Sequence, residues 1–252
     1  MEGLINLKSK LANGSKIYGS TLLQIGFEGL PAVYKRNGTD FLIVDLEHGP
    51  FYPESIGTLC YAARKEKLPI ISRVQDCEYH CISKCIDMGC DGVLIPRTET
   101  MEQVETAINS LRMPPIGKKG VGGRSLLFPG ENVADFNSNR LLFLQIESVK
   151  GVDLLDEALA KYGDQIAGIL VGPTDFGVSM GIGFTMNEEM LGHIRRLISI
   201  CKKYNKSCGI FMCTDEEIEN WYKEGMNIFW VSGELVMLEN EIKRAGQVIE
   251  NL

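Results

Sequence analysis

A closed (β/α)8 barrel is the fold this sequence predicts, and three observations carry the prediction. Short apolar runs recur eight times along the chain, with helical segments between them. Several runs are hydrophobic at successive positions, as in Leu141-Leu142-Phe143-Leu144, the pattern of parallel strands covered on both faces. The length of 252 residues is that of one such barrel. Regular alternation of strand and helix gives a parallel sheet. An open doubly wound sheet is the competing arrangement, but no G-x-G-x-x-G follows the first run. Residues 1–252 read as a single domain, without a linker, a low-complexity segment or a repeat beyond the βα period.

The expected strands are Ile17–Leu23, Phe41–Leu46, Pro69–Arg73, Gly92–Pro96, Leu141–Glu147, Ala167–Gly172, Ser207–Met212 and Asn227–Ser232. Pro53 followed by Glu54 fits the first turn of a helix. Cys77, Cys81 and Cys85 recur every four residues and fall on one helix face, and Gly89 reads as that helix's stop. Met101 to Leu111 puts Val104, Ala107, Ile108 and Leu111 on one side, and Glu188 to Tyr204 does the same with Leu191, Ile194, Leu197, Ile198 and Cys201. Pro114 to Ser125 breaks the rhythm. Its glycines suit a phosphate cradle or an active-site wall; without a following G-K-[ST], the wall is favoured.

Composition excludes several classes. The net charge is −7 and no dense basic stretch occurs, which argues against a nucleic-acid binder. No apolar run reaches 18 residues, so no membrane span is expected. No signal-peptide pattern opens the chain, and a cytoplasmic protein is expected. The eight cysteines include no C-x-x-C pair. They read as small apolar packing residues rather than a metal or redox cluster.

Polar residues gather where the predicted strands end, the place where barrels keep their chemistry. Asp45-Leu46-Glu47-His48 follows the second strand, and charged groups there are costly unless paired or bound. His48, oriented by Asp45, suits a general base. Arg73 ends the third strand and offers a planar cation to a carboxylate or an enolate oxygen. Gln145 and Glu147 are two apart and share a face of the fifth strand. Glu147 and Asp175, from neighbouring strand ends, suit a hard divalent ion such as Mg²⁺ or Mn²⁺. The competing reading pairs those carboxylates with Arg73, Arg97 or Arg124, or makes them helix caps. Backbone N–H groups at Gly172-Pro173-Thr174-Asp175 suit a substrate carboxylate. His80 and His193 fall within helical patterns and read as solvent-facing or packing residues.

With these residues in place, the chain resembles the HpcH/HpaI aldolase family. The likeness runs from about Gly19 to Ala245 on six segments in order: Val44–Pro50, Arg73, Met88–Pro96, Gly120–Arg124, Gln145–Ser148 and Gly172–Phe176. It implies a (β/α)8 barrel and a class II, divalent-metal-dependent aldolase acting on 4-hydroxy-2-oxo acids, with pyruvate and an aldehyde as the small-molecule partners. In that pattern Glu147 and Asp175 match the metal ligands, and His48, held by Asp45, matches the base. Arg73 matches the group holding the pyruvate keto oxygen. Gln145 matches a polar contact to pyruvate or to metal-bound water. The backbone at Thr174 and Asp175 matches the carboxylate site. The family also implies a homo-oligomer, a hexamer, with each mouth completed by a neighbour. Phe51-Tyr52 and Lys119-Gly120 depart from the family pattern on the aldehyde side, so the pyruvate half is the firmer part of the expectation. Two enzymes sharing the enolate chemistry are alternatives, a 2-oxoacid decarboxylase and a citryl-type acyl-CoA lyase. A non-enzymatic barrel that binds a small acid is the third.

Overall fold

The computed structural model describes residues 1–122 and 127–252. Helix α1 (Glu2–Asn13) comes first. The order then runs β1 (Ile17–Leu22), α2 (Leu30–Arg36), β2 (Phe41–Asp45), α3 (Gly57–Lys65), β3 (Ile70–Arg73), α4 (Tyr79–Asp87), β4 (Gly92–Ile95) and α5 (Met101–Leu111). The second half is α6 (Val133–Asn139), β5 (Leu141–Ile146), α7 (Val149–Tyr162), β6 (Gly168–Val171), α8 (Pro173–Ser179), α9 (Glu188–Lys203), β7 (Ser207–Met212), α10 (Asp215–Glu224), β8 (Ile228–Gly233) and α11 (Glu234–Glu250). The strands pair in chain order, all parallel, and β8 closes onto β1. The predicted (β/α)8 barrel is the observed one.

All eight expected strands form, with no end moved by more than one residue. β2 stops at Asp45 and β5 at Ile146, one short of the expectation. At these ends, the Asp45 carboxylate accepts the amides of Glu47 and His48, and the Glu147 carboxylate accepts that of Arg97. Pro53 opens a 3-10 turn, Pro53–Ile56, that runs into α3. Gly89, at φ 109°, follows α4 in the left-handed conformation that glycine tolerates.

Period two sorts the barrel into layers. Ile17, Phe41, Ile43, Ile71, Leu94, Leu141, Phe143, Leu170, Ile228 and Trp230 form an inner cluster with Leu4, Leu7 and Leu11 of α1, which closes the floor. The rings of Phe41 and Phe143 stack there with centroids 5.9 Å apart. Gly19 makes the space, since a Cβ on it would meet the Phe41 ring at 2.3 Å. A larger cluster fills the layer between strands and helices. Above the apolar layers, towards the C-terminal strand ends, the same inward positions turn polar.

Six of the cysteines are buried as apolar packing residues, while Cys77 is partly buried and Cys213 is exposed. All eight are free, and Cys60, Cys85 and Cys90 lie in the outer core. Burial pushes the Cys85 thiol up to about 12, far from a reactive thiolate. One correction applies: Cys77 precedes α4, because Glu78 is the N-cap, so only Cys81 and Cys85 share the helix. Among the described residues no helix is long and apolar enough to cross a membrane.

Candidate active site

A cavity of about 440 Å³ opens at the C-terminal end of the barrel. His48, Arg73, Gln145, Glu147, Thr174 and Asp175 all line it. The strand ends thus bring together six of the seven residues expected to form the site. The seventh, Asp45, lies fully buried behind Arg73.

Register explains that pair. Asp45 and Arg73 are partners across β2 and β3, on inward-facing positions. Arg73 Nε donates to Asp45 Oδ1 at 2.9 Å, and Nη2 donates to Oδ2 in the second arm of a bidentate pair. Burial works against the guanidinium charge, but Asp45 and Glu47 outweigh it and hold the Arg73 pKa above its ordinary value. Asp45 therefore does not orient the His48 imidazole, as the sequence had suggested. Oδ1 instead accepts the backbone N–H groups of Glu47 and His48, at 3.0 and 3.2 Å, and so shapes the turn that carries both. The His48 ring is more than half exposed, with Nε2 3.9 Å from Glu47 Oε2.

Glu47 connects these groups. Its carboxylate lies 3.6 Å from Arg73 Nη1 and 3.4 Å from Arg97 Nε. Burial raises its pKa, with Arg73 and His48 opposing.

Glu147 is 5% exposed. Its Oε2 accepts the backbone N–H of Arg97 at 3.0 Å, and its Oε1 accepts from Gln145 Nε2. Arg97 stands at φ 45°, a left-handed turn at the exit of β4. Burial pushes the Glu147 carboxyl up to about 7; the Arg97 N–H opposes this, and the Asp175 charge adds to it. Gln145 Oε1 is buried with no hydrogen-bond donor. Two carboxylates that repel each other, beside an unsatisfied amide oxygen, make an all-oxygen set suited to a hard cation. Among the described residues no group of three or more His, Cys, Asp or Glu side chains is placed to hold a metal. An ion here would draw on the two carboxylates and water. Gly172 is required by the crowding, because a Cβ would stand 2.2 Å from Glu147 Oε1.

Glu147 and Asp175 also line a second cavity of about 460 Å³ with Asp76, Arg97, Glu99 and Ser179, so the carboxylates stand between two spaces. Of the Gly120–Arg124 segment, Gly123 and Arg124 lie outside the described residues, as does Ser125 at the end of the irregular stretch. Lys119 is buried and pairs with Asp87 at 2.7 Å. His80 is exposed on α4, and His193 lies half-buried beside Phe176 on α9.

Sequence reasoning missed part of the wall. Thr21, Leu23, Phe211, Trp230, Gly233 and Val236 line the mouth. Trp230 Nε1 donates to Thr21 Oγ1 at 2.6 Å, and the Trp230 ring meets Phe211 edge-on. Glu234 was missed too. It is buried and accepts the backbone N–H groups of Leu23, Gln24 and Ile25 at 2.7, 2.5 and 2.7 Å. A carboxylate directly after an apolar strand was the available signal, the same one that singled out Asp45.

Comparison with known proteins places this geometry. A hydroxypyruvate/pyruvate aldolase of Roseobacter denitrificans is 29% identical over 243 residues, covering 94% of each chain. A 5-keto-4-deoxy-D-glucarate aldolase of Salmonella paratyphi C is 30% identical over 203 residues, covering 79% of this chain and 78% of its own. An HpcH/HpaI aldolase of Desulfitobacterium hafniense shares the fold, with a TM-score of 0.90 at 24% identity over 98% of this chain and 97% of its own. Residues 31–237 match the family model for HpcH/HpaI aldolase/citrate lyase. The chain belongs to the HpcH/HpaI aldolase/citrate lyase family and is, in chemical class, a carbon–carbon lyase of the aldolase kind.

Proposed function

We propose that the protein is a divalent-metal-dependent aldolase that makes and breaks the C3–C4 bond of 4-hydroxy-2-oxo acids, with the enolate of pyruvate and an aldehyde as the two halves. The observation that carries this reading is the desolvated Glu147, repelled by Asp175 beside the donorless oxygen of Gln145. That set fits a cation. Mg²⁺ or Mn²⁺ held by Glu147 and Asp175 supplies Lewis-acid stabilisation of the enolate charge.

The chain's own groups do the rest. Arg73, fixed by its two bonds to Asp45, offers its remaining N–H groups to the 2-oxo oxygen, where negative charge grows. The N–H groups of Thr174 and Asp175 open α8, follow a proline without one, and receive the substrate carboxylate. His48 takes the 4-hydroxyl proton, its Nε2 standing 3.9 Å from Glu47 Oε2 at the edge of the mouth. As the C3–C4 bond breaks, its electron pair passes into the enolate and C4 leaves as the aldehyde carbonyl. A proton delivered to C3 then gives pyruvate. The reading is strengthened by two relatives named for pyruvate-type and keto-deoxy-sugar-acid aldol reactions. It also makes the protein a homo-oligomer, a hexamer in the family pattern.

The test is a screen of pyruvate against a panel of aldehydes, with and without Mn²⁺ or Mg²⁺. Aldol product should form with metal, vanish in EDTA and return when metal is restored. His48→Ala should lose about 10²-fold or more, and Glu147→Ala should lose metal response. Full activity in EDTA, or a borohydride-trapped adduct with pyruvate, would sink the proposal.

A further inference from the structure

At the opposite end of the barrel, beside α1, a cavity of about 210 Å³ opens among the N-terminal ends of β5, β6 and β7. Lys8, Arg112, Arg140 and Lys206 line it, with Asp164 the one acidic residue in the wall. Arg140 has its own counter-charge in the buried carboxylate of Glu131. Among the described residues Lys8 and Arg112 form no ion pair, and Lys206 feels the charge of Asp164 without forming an ion pair with it. Lys8 Nζ donates to the Ser138 carbonyl at 2.5 Å and to Asn139 Oδ1 at 3.1 Å. Arg112 donates to Gln165 Oε1, the Arg140 carbonyl and the Gln165 carbonyl, at 3.0, 2.6 and 3.2 Å. Lys206 Nζ donates to the Ile166 carbonyl at 3.0 Å. All six bonds end on neutral carbonyl oxygens, and among the described residues none of the three cations forms an ion pair with a carboxylate.

Neutral acceptors aim and hold a cation without cancelling its charge. Arg112 is 4% exposed, so its charge is desolvated as well as unmatched. Its five N–H groups exceed the three bonds it makes, which leaves donors for a ligand. The groups also act on one another: burial and the Arg140 charge push Arg112 down to about 10, and burial and Arg112 lower Lys8. An anion in the cavity would relieve that mutual repulsion.

We propose that this floor cavity is a binding site for a small, doubly charged oxyanion, held by Lys8, Arg112 and Lys206. It is separate from the aldol mouth and does not depend on the reading of that mouth. A phosphoryl group and a dicarboxylate share the required chemistry, and separate arms tell them apart. Thermal unfolding and calorimetry on the whole protein, with inorganic phosphate or malonate against chloride at equal ionic strength, read the site directly. A saturable stabilisation by phosphate, malonate or both is expected, because a ligand bound only to the folded state raises Tm by mass action. The Lys8→Met/Lys206→Met double variant should bind the anion at least about tenfold more weakly, two charge-assisted contacts being removed, and keep its aldol turnover. If neither anion stabilises the wild type beyond chloride, the site is not there. If the double variant responds like the wild type, the anion binds elsewhere, and the proposal fails equally.

Discussion

Asp45 sets the behaviour of the mouth from a position that touches no solvent. Its two oxygens take two N–H groups of Arg73 and two backbone amides, which fixes a guanidinium and a turn with one side chain. Removing half of such a pair leaves the other charge desolvated, at a cost of about 3–5 kcal/mol when the pair is buried. Asp45→Asn should therefore lower unfolding stability by roughly that amount in a denaturant titration, and lower aldol turnover with it because Arg73 loses its fixed direction. A variant as stable as the wild type would show that Arg73 does not depend on Asp45. This partnership was not legible in the sequence. Asp45 and Arg73 are 28 residues apart, and only the β2–β3 register sets them side by side. Asp45 and His48 are close in sequence, but the strand ends between them and the imidazole turns towards Glu47. Gln145 and Glu147 were legible because a period of two needs no partner strand to be read.

The β1–α2 connection depends on an element at the far end of the chain. Glu234, at the start of α11, gathers the amides of Leu23, Gln24 and Ile25, and Leu23 lines the mouth. Three donors converging on one carboxylate form a clamp, and an amide in its place turns one acceptor into a donor facing a donor. Glu234→Gln should cost about 1–3 kcal/mol and speed amide hydrogen exchange at Leu23 to Ile25. It should also raise KM more than it lowers kcat, since the loop shapes the wall and holds none of the reacting groups. Unchanged exchange at those three amides would show that Glu234 does not clamp the loop. At this scale the chain was most readable where one force dominates. The eight strands could be picked out because burial leaves short apolar runs, several of them continuous, and Gly89 marked the end of α4 through its backbone freedom. Strand ends were less readable, because there polar side chains such as Asp45 and Glu147 bond to loop amides and the apolar pattern fades. Cys77 failed for a similar reason: spacing alone extended a helix that the next residue, Glu78, caps.

Across the whole molecule, the last helix is the part that the barrel does not account for. α11 has 17 residues, and only Glu234 among them is buried. Leu238, Ile242 and Ile249 are 50%, 63% and 70% exposed, and their spacing of four and seven puts them on one stripe with Ala245. An apolar stripe on a helix extending from the barrel is stable in water when another surface covers it. Since α11 begins at the mouth, where Gly233 and Val236 line the cavity, a surface docked on it lies beside the candidate active site. A second copy of the chain as that surface agrees with the homo-oligomer proposed above. Light scattering coupled to gel filtration should find an assembly of several chains, six in the proposed form. The Leu238→Glu/Ile242→Glu variant should shift it towards monomer, because charges placed in an apolar interface are left unpaired. Circular dichroism should stay close to wild type, since neither side chain enters the barrel core, and turnover should fall with dissociation if neighbouring chains complete the mouth. A wild-type protein that runs as a monomer at micromolar concentration would rule out the assembly. An oligomer that survives both substitutions would move its interface away from α11.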